Sequence, residues 1–136
     1  MAGRHRVTPP LHPGEEIVDL ALPLKNLIDA INRHDPAAIA DCFTASYACE
    51  TPLQPKANFT GNDRVRQNWT QMCADLPDIK AEVLRSTVTD AEIWSEWVMT
   101  GTRRDGTPQV FRGMVLFDTV GGLIAHSRFY LQPADS

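Results

Sequence analysis

The segment FRGMVLFDTVGGLIAHSRFYLQP, residues 111–133, decides how the end of the chain folds. Apolar and polar residues alternate up to a Gly-Gly pair at 121–122, and a second alternating run leads away from it. Such alternation predicts half-buried strands, and Gly-Gly between two runs is typical of a hairpin turn. The second strand carries His126, Arg128 and Tyr130, which either face a pocket or lie on the outside of the sheet.

Earlier in the chain, the spacing of the apolar residues predicts helices. From Glu15, apolar residues recur at i, i+3 and i+4, which predicts a first helix that Pro23 would kink or divide. Asp35 and Pro36 are typical of a helix start. The second and third helices are predicted over 37–43 and 63–75.

Strands account for most of the remaining chain. Runs of alternating residues bounded by turn-forming residues predict strands, which we place at 46–52, 79–89, 91–104, 109–119 and 123–132. Helices with one early strand, followed by a series of antiparallel strands, are typical of an α+β fold with helices on one face of a curved antiparallel sheet.

The length of 136 residues fits one globular domain. We place this domain at residues 15–136. Residues 1–14, MAGRHRVTPPLHPG, are basic and rich in proline, and they are predicted to form a flexible leader or an arm on a neighbour.

The composition argues against several classes of function. A net charge of −4 and a pI of about 5.5 argue against nucleic-acid binding. No stretch approaches the roughly 18 apolar residues of a membrane span. Three cysteines without CxxC spacing, and no secretory apolar region at the N terminus, predict a reduced, cytoplasmic protein. The spacing of a metal site is absent, so neither a metal nor a cofactor is expected.

Several phrases of the sequence resemble the nuclear transport factor 2-like superfamily, which includes ketosteroid isomerases, SnoaL-like polyketide cyclases and limonene epoxide hydrolases. The phrases are LIDAINRHDPAAIADCFTASYACETP (27–52), FTGNDRVRQNWTQM (59–72), WVMTGT (97–102) and the segment 111–133. The resemblance implies a cone-shaped barrel in which a strongly curved antiparallel sheet wraps around three N-terminal helices. It also implies an apolar pocket inside the cone and a homodimer through the convex outer sheet face.

The resemblance further implies positions for catalytic groups, and these positions carry other residues here. The position of the isomerase base is Thr51, whose hydroxyl has too high a pKa to act alone as a base near neutral pH. The tyrosine of the isomerase first helix is replaced by Leu27, and the aspartate of the cyclase last strand by Phe129. The epoxide hydrolase arginine and aspartate positions fall on Trp97 and Met99. The known catalytic sets are therefore absent.

The same matches set the phase of the strands, because every second residue of a strand shares a face. The residues predicted to line the pocket are Leu27, Tyr47, Cys49, Thr51, Trp69, Met72, Trp97, Met99, Met114, Leu116, Ser127 and Phe129. These side chains either leave a cavity for a flat or flexible apolar molecule or simply fill the core. A bulge in a strand would reverse the phase beyond it.

Residues of the opposite phase are predicted to lie on the outer face of the sheet. They are Glu50, Glu96, His126, Arg128 and Tyr130. Acids and bases beside aromatic residues are typical of a protein interface, so this face is either a salt-bridged dimer surface or a solvated sheet face.

Three functions stay open from the sequence. The first is a binding protein for a small apolar molecule, without the usual acid–base residues. The second is an isomerase, cyclase or hydratase acting on a polyketide- or steroid-like substrate through a non-standard site such as Tyr47, Ser127 or His126. The third is a protein-interaction module that uses the outer sheet face. A carboxylate or imidazole on the wall of an open cavity would favour the enzyme.

Overall fold

The described part of the chain, residues 20–135 of this computed structural model, forms three α-helices and a seven-stranded sheet. The helices are α1 (Leu22–Asn32), α2 (Pro36–Ala40) and α3 (Asn62–Asp75), and a 3-10 turn covers Pro55–Ala57. The strands are β1 (Phe43–Glu50), β2 (Phe59–Thr60), β3 (Lys80–Thr89), β4 (Glu92–Thr102), β5 (Pro108–Val120), β6 (Leu123–Phe129) and β7 (Gln132–Ala134). The leader predicted for residues 1–14 and the helix start predicted at Glu15 lie outside the described residues.

The sheet is curved and does not close into a barrel. Its strands run in the order β2-β1-β6-β5-β4-β3, and β7 pairs with the first part of β5. The pair of β1 and β6 is parallel, whereas the other neighbours are antiparallel. The α+β fold predicted from the sequence is confirmed, with one parallel pair inside a mostly antiparallel sheet.

The starts of α1 and α2 follow from local sequence. Pro23 lies in the first turn of α1, where a missing N–H removes no helix bond. It therefore belongs to the start of the described helix. Residues 15–19 of the predicted helical run lie outside the described residues, so the kink or division expected at Pro23 stays a prediction. Asp35 caps α2 as predicted, because its carboxylate accepts a hydrogen bond of 3.1 Å from the Ala38 backbone N–H.

The register between β4 and β5 decides which side chains of β5 face the core. Trp97 of β4 lies opposite Gly113 of β5. Residues directly opposite one another in an antiparallel pair point to the same face, so the inner residues of β5 are those in phase with Gly113. Val115 and Phe117 are accordingly fully buried in the core.

Met114 and Leu116 face outward, and the prediction that they line the pocket is corrected. Met114 lies opposite Glu96, and Leu116 lies opposite Trp94, on the outer face of the sheet. A shift of one residue in register exchanges the two faces of a strand, and the alternation within β5 alone does not specify which neighbour each residue meets.

Candidate functional site

An apolar cavity of about 290 Å³ lies between α3 and the inner face of the sheet. Its wall consists of Phe43, Tyr47, Cys49, Thr51, Ala57, Phe59, Val65, Asn68, Trp69, Met72, Met99, Phe111, Phe129 and Leu131. None of these described residues carries a charged side chain. The volume falls near the lower end of the range of about 300–1,000 Å³ that is usual for small-molecule sites.

One face of α3 forms one side of the cavity. Val65, Asn68, Trp69 and Met72 lie three or four residues apart on α3 and therefore share one face of that helix. The facing wall belongs to the strands, in which alternate side chains point inward. Trp69 and Met72 are only partly buried, so large apolar side chains of α3 remain in contact with the cavity.

A buried hydrogen bond joins two strands beside the cavity. The hydroxyl of Tyr47 on β1 is hydrogen-bonded to the hydroxyl of Ser127 on β6, and either oxygen can be the donor. Cys49, two residues further along β1, is buried and pairs in register with Ser127 of β6. The Tyr47 ring is held by Phe43 and Phe59, whose ring centroids lie 4.5 and 5.9 Å away.

Burial keeps these groups protonated. Loss of hydration raises the pKa of Tyr47 above its usual range, and it also raises the pKa of the Cys49 thiol. Neither group is therefore a base or a thiolate nucleophile near neutral pH. Both are hydrogen-bond donors.

Thr51 occupies the isomerase base position, but its polar groups organise the loop that follows β1. Its hydroxyl donates to the Gln54 carbonyl at 2.7 Å, and its backbone N–H donates to the Asn58 side-chain oxygen at 2.7 Å. The threonine therefore contributes to the wall of the cavity while its hydrogen bonds are used within the loop.

The buried indole N–H of Trp97 also has a hydrogen-bond partner within the protein. The indole N–H of Trp97 donates to the Ser95 hydroxyl at 2.8 Å, and that hydroxyl donates to the Val115 carbonyl at 2.8 Å. Trp97 packs in the core against Phe117, with ring centroids 6.2 Å apart. This chain of hydrogen bonds satisfies the buried indole without any ligand.

The predicted pocket residues divide into three groups. The structure places Tyr47, Cys49, Thr51, Trp69, Met72, Met99 and Phe129 at the cavity wall. Leu27, Trp97 and Ser127 are instead buried in the core and do not belong to the cavity wall. Met114 and Leu116 lie on the outer face, as described above.

Other wall residues were missing from the prediction. Val65 and Asn68 could have been found from the helical spacing with Trp69 and Met72, and Leu131 from its alternation with Phe129. Phe111 depends on the register of β5, and Phe43 lies before the predicted start of the first strand. Ala57 and Phe59 come from the loop and short strand after β1, for which the sequence pattern carries no signal of an inward position.

The residues predicted for the outer face form a charged cluster there. The His126 ring nitrogens lie 2.6 Å from a Glu50 oxygen and 3.1 Å from an Asp118 oxygen. The Arg128 guanidinium lies 3.7 Å from Glu50 and donates to the Tyr130 hydroxyl at 3.3 Å. On the same outer face, nearer the β3 edge of the sheet, Glu96 forms an ion pair with Arg85 at 3.0 Å. His126, one residue of the enzyme hypothesis, is therefore outside the cavity.

The described residues, 20–135, also bear on metal binding and on membrane insertion. In that part of the chain, no group of three or more His, Cys, Asp and Glu residues is arranged to hold a metal ion. No described helix has the length and apolar character needed to cross a membrane.

A curved, mostly antiparallel sheet with three helices and an interior apolar cavity is the architecture of the ketosteroid isomerase-like α+β cone proteins. Residues 24–127 match the SnoaL-like domain, and the chain belongs to this family. The resemblance found in the sequence is thereby confirmed. None of the curated proteins matches the chain.

Solved structures share the fold at low sequence identity. A protein from Catenulispora acidiphila with a ketosteroid isomerase-like fold, in complex with trimethylamine, is 16% identical with a TM-score of 0.72, covering 87% of this chain and 88% of that one. A Mycobacterium tuberculosis protein in complex with estradiol-17β-hemisuccinate is 15% identical with a TM-score of 0.68, covering 79% and 89%. A putative polyketide cyclase from Sinorhizobium meliloti is 23% identical with a TM-score of 0.66, covering 84% and 96%. At these identities the likeness concerns the fold.

Proposed function

We propose that this protein binds a small, neutral, apolar molecule in the cavity, without the acid–base residues of the related enzymes. The observation that carries this proposal is a wall of aromatic, aliphatic and sulfur-containing side chains among which the described residues include no carboxylate, ammonium, guanidinium or imidazole group. An apolar ligand gains free energy by leaving water for such a site. A charged ligand would lose its hydration without gaining a partner of opposite charge.

The absence of a carboxylate, an amine or an imidazole from the described wall also separates binding from catalysis. An isomerase or cyclase moves protons and needs a group whose pKa lies near the working pH and which lies within hydrogen-bonding reach of the substrate. Tyr47 and Cys49 are held protonated by burial, and the Thr51 hydroxyl is used in its loop. The bound trimethylamine and estradiol-17β-hemisuccinate of two structural relatives support a general capacity of this fold to hold small organic molecules.

The binding proposal is tested with n-propylbenzene as the probe. Trp69 lies on the cavity wall, whereas Trp94 lies on the outer face. Titration should shift the indole ¹H–¹⁵N signal of Trp69 in a saturable way and leave the Trp94 signal in place. If no indole signal moves up to the solubility limit of the probe, the proposal is wrong.

A matched pair of variants tests whether the probe binds in the cavity. Ala57 and Lys56 are neighbouring exposed residues of the 3-10 turn, but Ala57 lines the cavity and Lys56 does not. Ala57→Phe should weaken probe binding several-fold because the larger side chain takes space at the wall, and Lys56→Phe should leave binding unchanged. Equal effects of both variants would contradict binding at this site.

We further propose that the outer face pairs with a second copy of the chain. Trp94, Met114 and Leu116 form an apolar row on this face, and Trp94 is 44% exposed. Ionic groups of both signs flank the row, with Glu50, His126 and Arg128 on one side and Arg85 with Glu96 on the other. A surface with both signs around an apolar centre can be complementary to itself across a two-fold axis.

Sedimentation velocity at micromolar concentration tests this pairing. The wild-type protein should sediment as a dimer, and Trp94→Arg should sediment as a monomer because it puts two unpaired cations into the apolar centre. Leu22→Arg is the control, because Leu22 is also exposed and apolar but lies on α1, away from the outer face; this variant should remain a dimer. A monomeric wild-type protein would overturn the proposal.

A cytoplasmic location is also proposed. Cys42, Cys49 and Cys73 are all unpaired thiols, which is the form that a reducing compartment maintains. Subcellular fractionation should recover the protein with cytoplasmic markers, and recovery with extracellular or periplasmic markers would contradict this location.

A further inference from the structure

An open groove of about 570 Å³ lies next to the cavity, between the end of α3 and the hairpin that joins β4 to β5. Met72 and Phe111 line both spaces. On β5, Gln109 lies two residues from Phe111 and therefore shares the inner face of the sheet. On α3, Asp75 lies three residues beyond Met72 and therefore shares its side of the helix. The groove continues the cavity along the same strand and the same helix, with Met72 and Phe111 at the boundary.

Charge distinguishes the groove from the cavity. The charged residues of the groove are Arg103, Arg104, Asp75 and Asp105, and all are exposed. The described wall of the cavity has none. A charged group in the groove stays in contact with water, whereas the same group inside the cavity would lose its hydration without a partner of opposite charge. A ligand that extends across the boundary can therefore carry a charge only at its outer end.

The two carboxylates of the groove accept hydrogen bonds from their own segments. Asp105 accepts from the Thr107 backbone N–H at 3.0 Å and from the Thr107 hydroxyl at 2.6 Å. Asp75 accepts from the Gln71 side-chain amide at 2.9 Å. The acids are therefore used to hold the hairpin and the last turn of α3.

The two arginines have more N–H groups than the protein uses. Each guanidinium has five. Arg103 uses three of them on neutral oxygens of the hairpin and of β5, and Arg104 uses one on the Ala74 carbonyl at 2.9 Å. No carboxylate among residues 20–135 lies within 4.0 Å of a nitrogen of either guanidinium. Both cations are therefore able to pair with an anion from outside the chain.

We propose that this groove binds the carboxylate of a ligand whose neutral apolar body lies in the cavity, so that the ligand class is amphiphilic carboxylic acids. This inference rests on the proposed function and deepens it. The cavity still encloses only the uncharged part of the ligand, and the charge lies outside with Arg103 and Arg104. A guanidinium presents paired N–H donors that match the two oxygens of a carboxylate, and it is less strongly hydrated than an ammonium group.

A carboxylate fits the groove better than an amine or a neutral polar group. An amine would meet Asp75 and Asp105, whose oxygens already accept hydrogen bonds, and it would lie beside two cations of its own sign. A neutral amide or alcohol could also accept from a guanidinium, but a hydrogen bond with charge on both partners is stronger.

The experiment compares acids of increasing length with their amides, which have nearly the same size but no charge. The acids are 4-phenylbutyrate, 6-phenylhexanoate and 8-phenyloctanoate, and dissociation constants are measured by NMR titration of the Trp69 indole signal. At the length that passes the boundary, the wild type should bind the acid about 10-fold more tightly than the amide, since two exposed ion pairs contribute up to about 5-fold each. High salt should reduce this preference. Benzoate, whose charge would lie inside the cavity, should bind more weakly than benzamide.

Variants assign the preference to the two arginines. The double variant Arg103→Gln/Arg104→Gln should bind acid and amide to within about 2-fold of each other. Binding of n-propylbenzene, which does not reach the groove, should stay unchanged. Arg66→Gln is the matched control, because Arg66 is an exposed arginine of α3 that lines neither space, and this variant should keep the preference for the acid. Ala57→Phe should weaken binding of the acid because the phenyl group lies in the cavity.

The outcomes separate this inference from the binding proposal. If n-propylbenzene, the acids and the amides all fail to bind the wild type, the binding proposal fails. If n-propylbenzene and the amides bind but no acid is preferred at any length, or the double variant keeps the preference, binding stands and the carboxylate site is overturned. Tighter binding of 6-phenylhexylamine than of 6-phenylhexanoate would assign the groove to cations and overturn it as well. An acid that Ala57→Phe does not weaken would lie outside the cavity, contrary to the inference.

A measurement on the wild type covers the case in which the double variant does not fold. The ¹H–¹⁵Nε signals of Arg103 and Arg104 should shift when the preferred acid is added and should stay in place with its amide, whereas the Arg66 signal should stay in place with both. If the acid binds and moves neither groove signal, the inference is overturned.

Discussion

The Nε2 atom of His126 lies 2.6 Å from an Oε1 atom of Glu50, across the parallel pair of β1 and β6. On the opposite side of the same ring, Nδ1 lies 3.1 Å from Asp118 on β5. Carboxylates accept hydrogen bonds, so each contact requires a proton on the facing nitrogen, and the imidazolium form satisfies both. His126 therefore links three strands on the outer face.

This link should be measurable as a coupling energy. In a double-mutant cycle, His126→Ala and Glu50→Ala should show a coupling of about 0.5–1 kcal/mol in urea unfolding, since both side chains are partly exposed. The Lys25–Asp29 pair on α1 is the control, and its coupling should be about 0.3 kcal/mol because both partners are more exposed. Equal couplings for the two pairs would contradict a special role of the His126 contacts.

Gly113 is predicted to be intolerant of any side chain. A Cβ atom at this position would lie 2.2 Å from the Tyr130 backbone oxygen, and its φ of +151° is rare for other residues. Gly113→Ala should lower the free energy of unfolding by about 3 kcal/mol, since the clash is with backbone that cannot move aside cheaply. Gly106→Ala is the control, with a φ of +90° but open space around it, and it should cost only about 1 kcal/mol. Similar losses in both variants would show that the close approach to Tyr130 is unimportant.

The inward phase of β5 is tested by truncating neighbouring side chains. Phe117→Ala should lower the free energy of unfolding by about 3–5 kcal/mol because it leaves a cavity in the core. Met114→Ala should cost less than about 1 kcal/mol in the monomer because Met114 lies on the outer face. Urea unfolding of the two variants, each combined with Trp94→Arg so that the chain is a monomer, decides the phase, and the reverse order of losses would mean that β5 is turned the other way.

Asp78 should make stability depend on acidic pH. Its carboxylate accepts from the Thr102 backbone N–H at 2.7 Å and from the Thr102 hydroxyl at 2.8 Å, and these hydrogen bonds hold its pKa below the usual range. A carboxyl with a lower pKa in the folded state stabilises the fold above its unfolded pKa of about 3.9. That stabilisation is lost as the pH falls through the lower, folded pKa.

The variant Asp78→Asn should therefore flatten the loss of stability below about pH 4. Thr102→Val should remove part of the same pH dependence by deleting one donor. Thr100→Val, at an exposed position of the same strand, is the control and should retain the wild-type pH profile. Thermal unfolding measured from neutral to acidic pH is the readout, and an unchanged profile for Asp78→Asn would refute the assignment.

Much of the fold is determined by short-range features of the chain. The Asp35 cap, the hairpin turn at 121–122 and the helical spacing of α3 each depend on residues within a few positions of one another, so their sequence signals are direct. The alternation of β6 likewise separates Ser127 from His126 and Arg128, because successive side chains of a strand must point to opposite faces.

The tertiary structure decides what these local features build together. The inward position of Phe111 and the outward position of Met114 depend on how β5 registers with β4, and the close approach of Gly113 to Tyr130 is a contact between two separate segments. The buried hydrogen bond beside the cavity joins Tyr47 to Ser127, 80 residues later in the chain. Register and long-range contacts are relations between segments, set by packing and pairing of the whole sheet, and no single segment contains them.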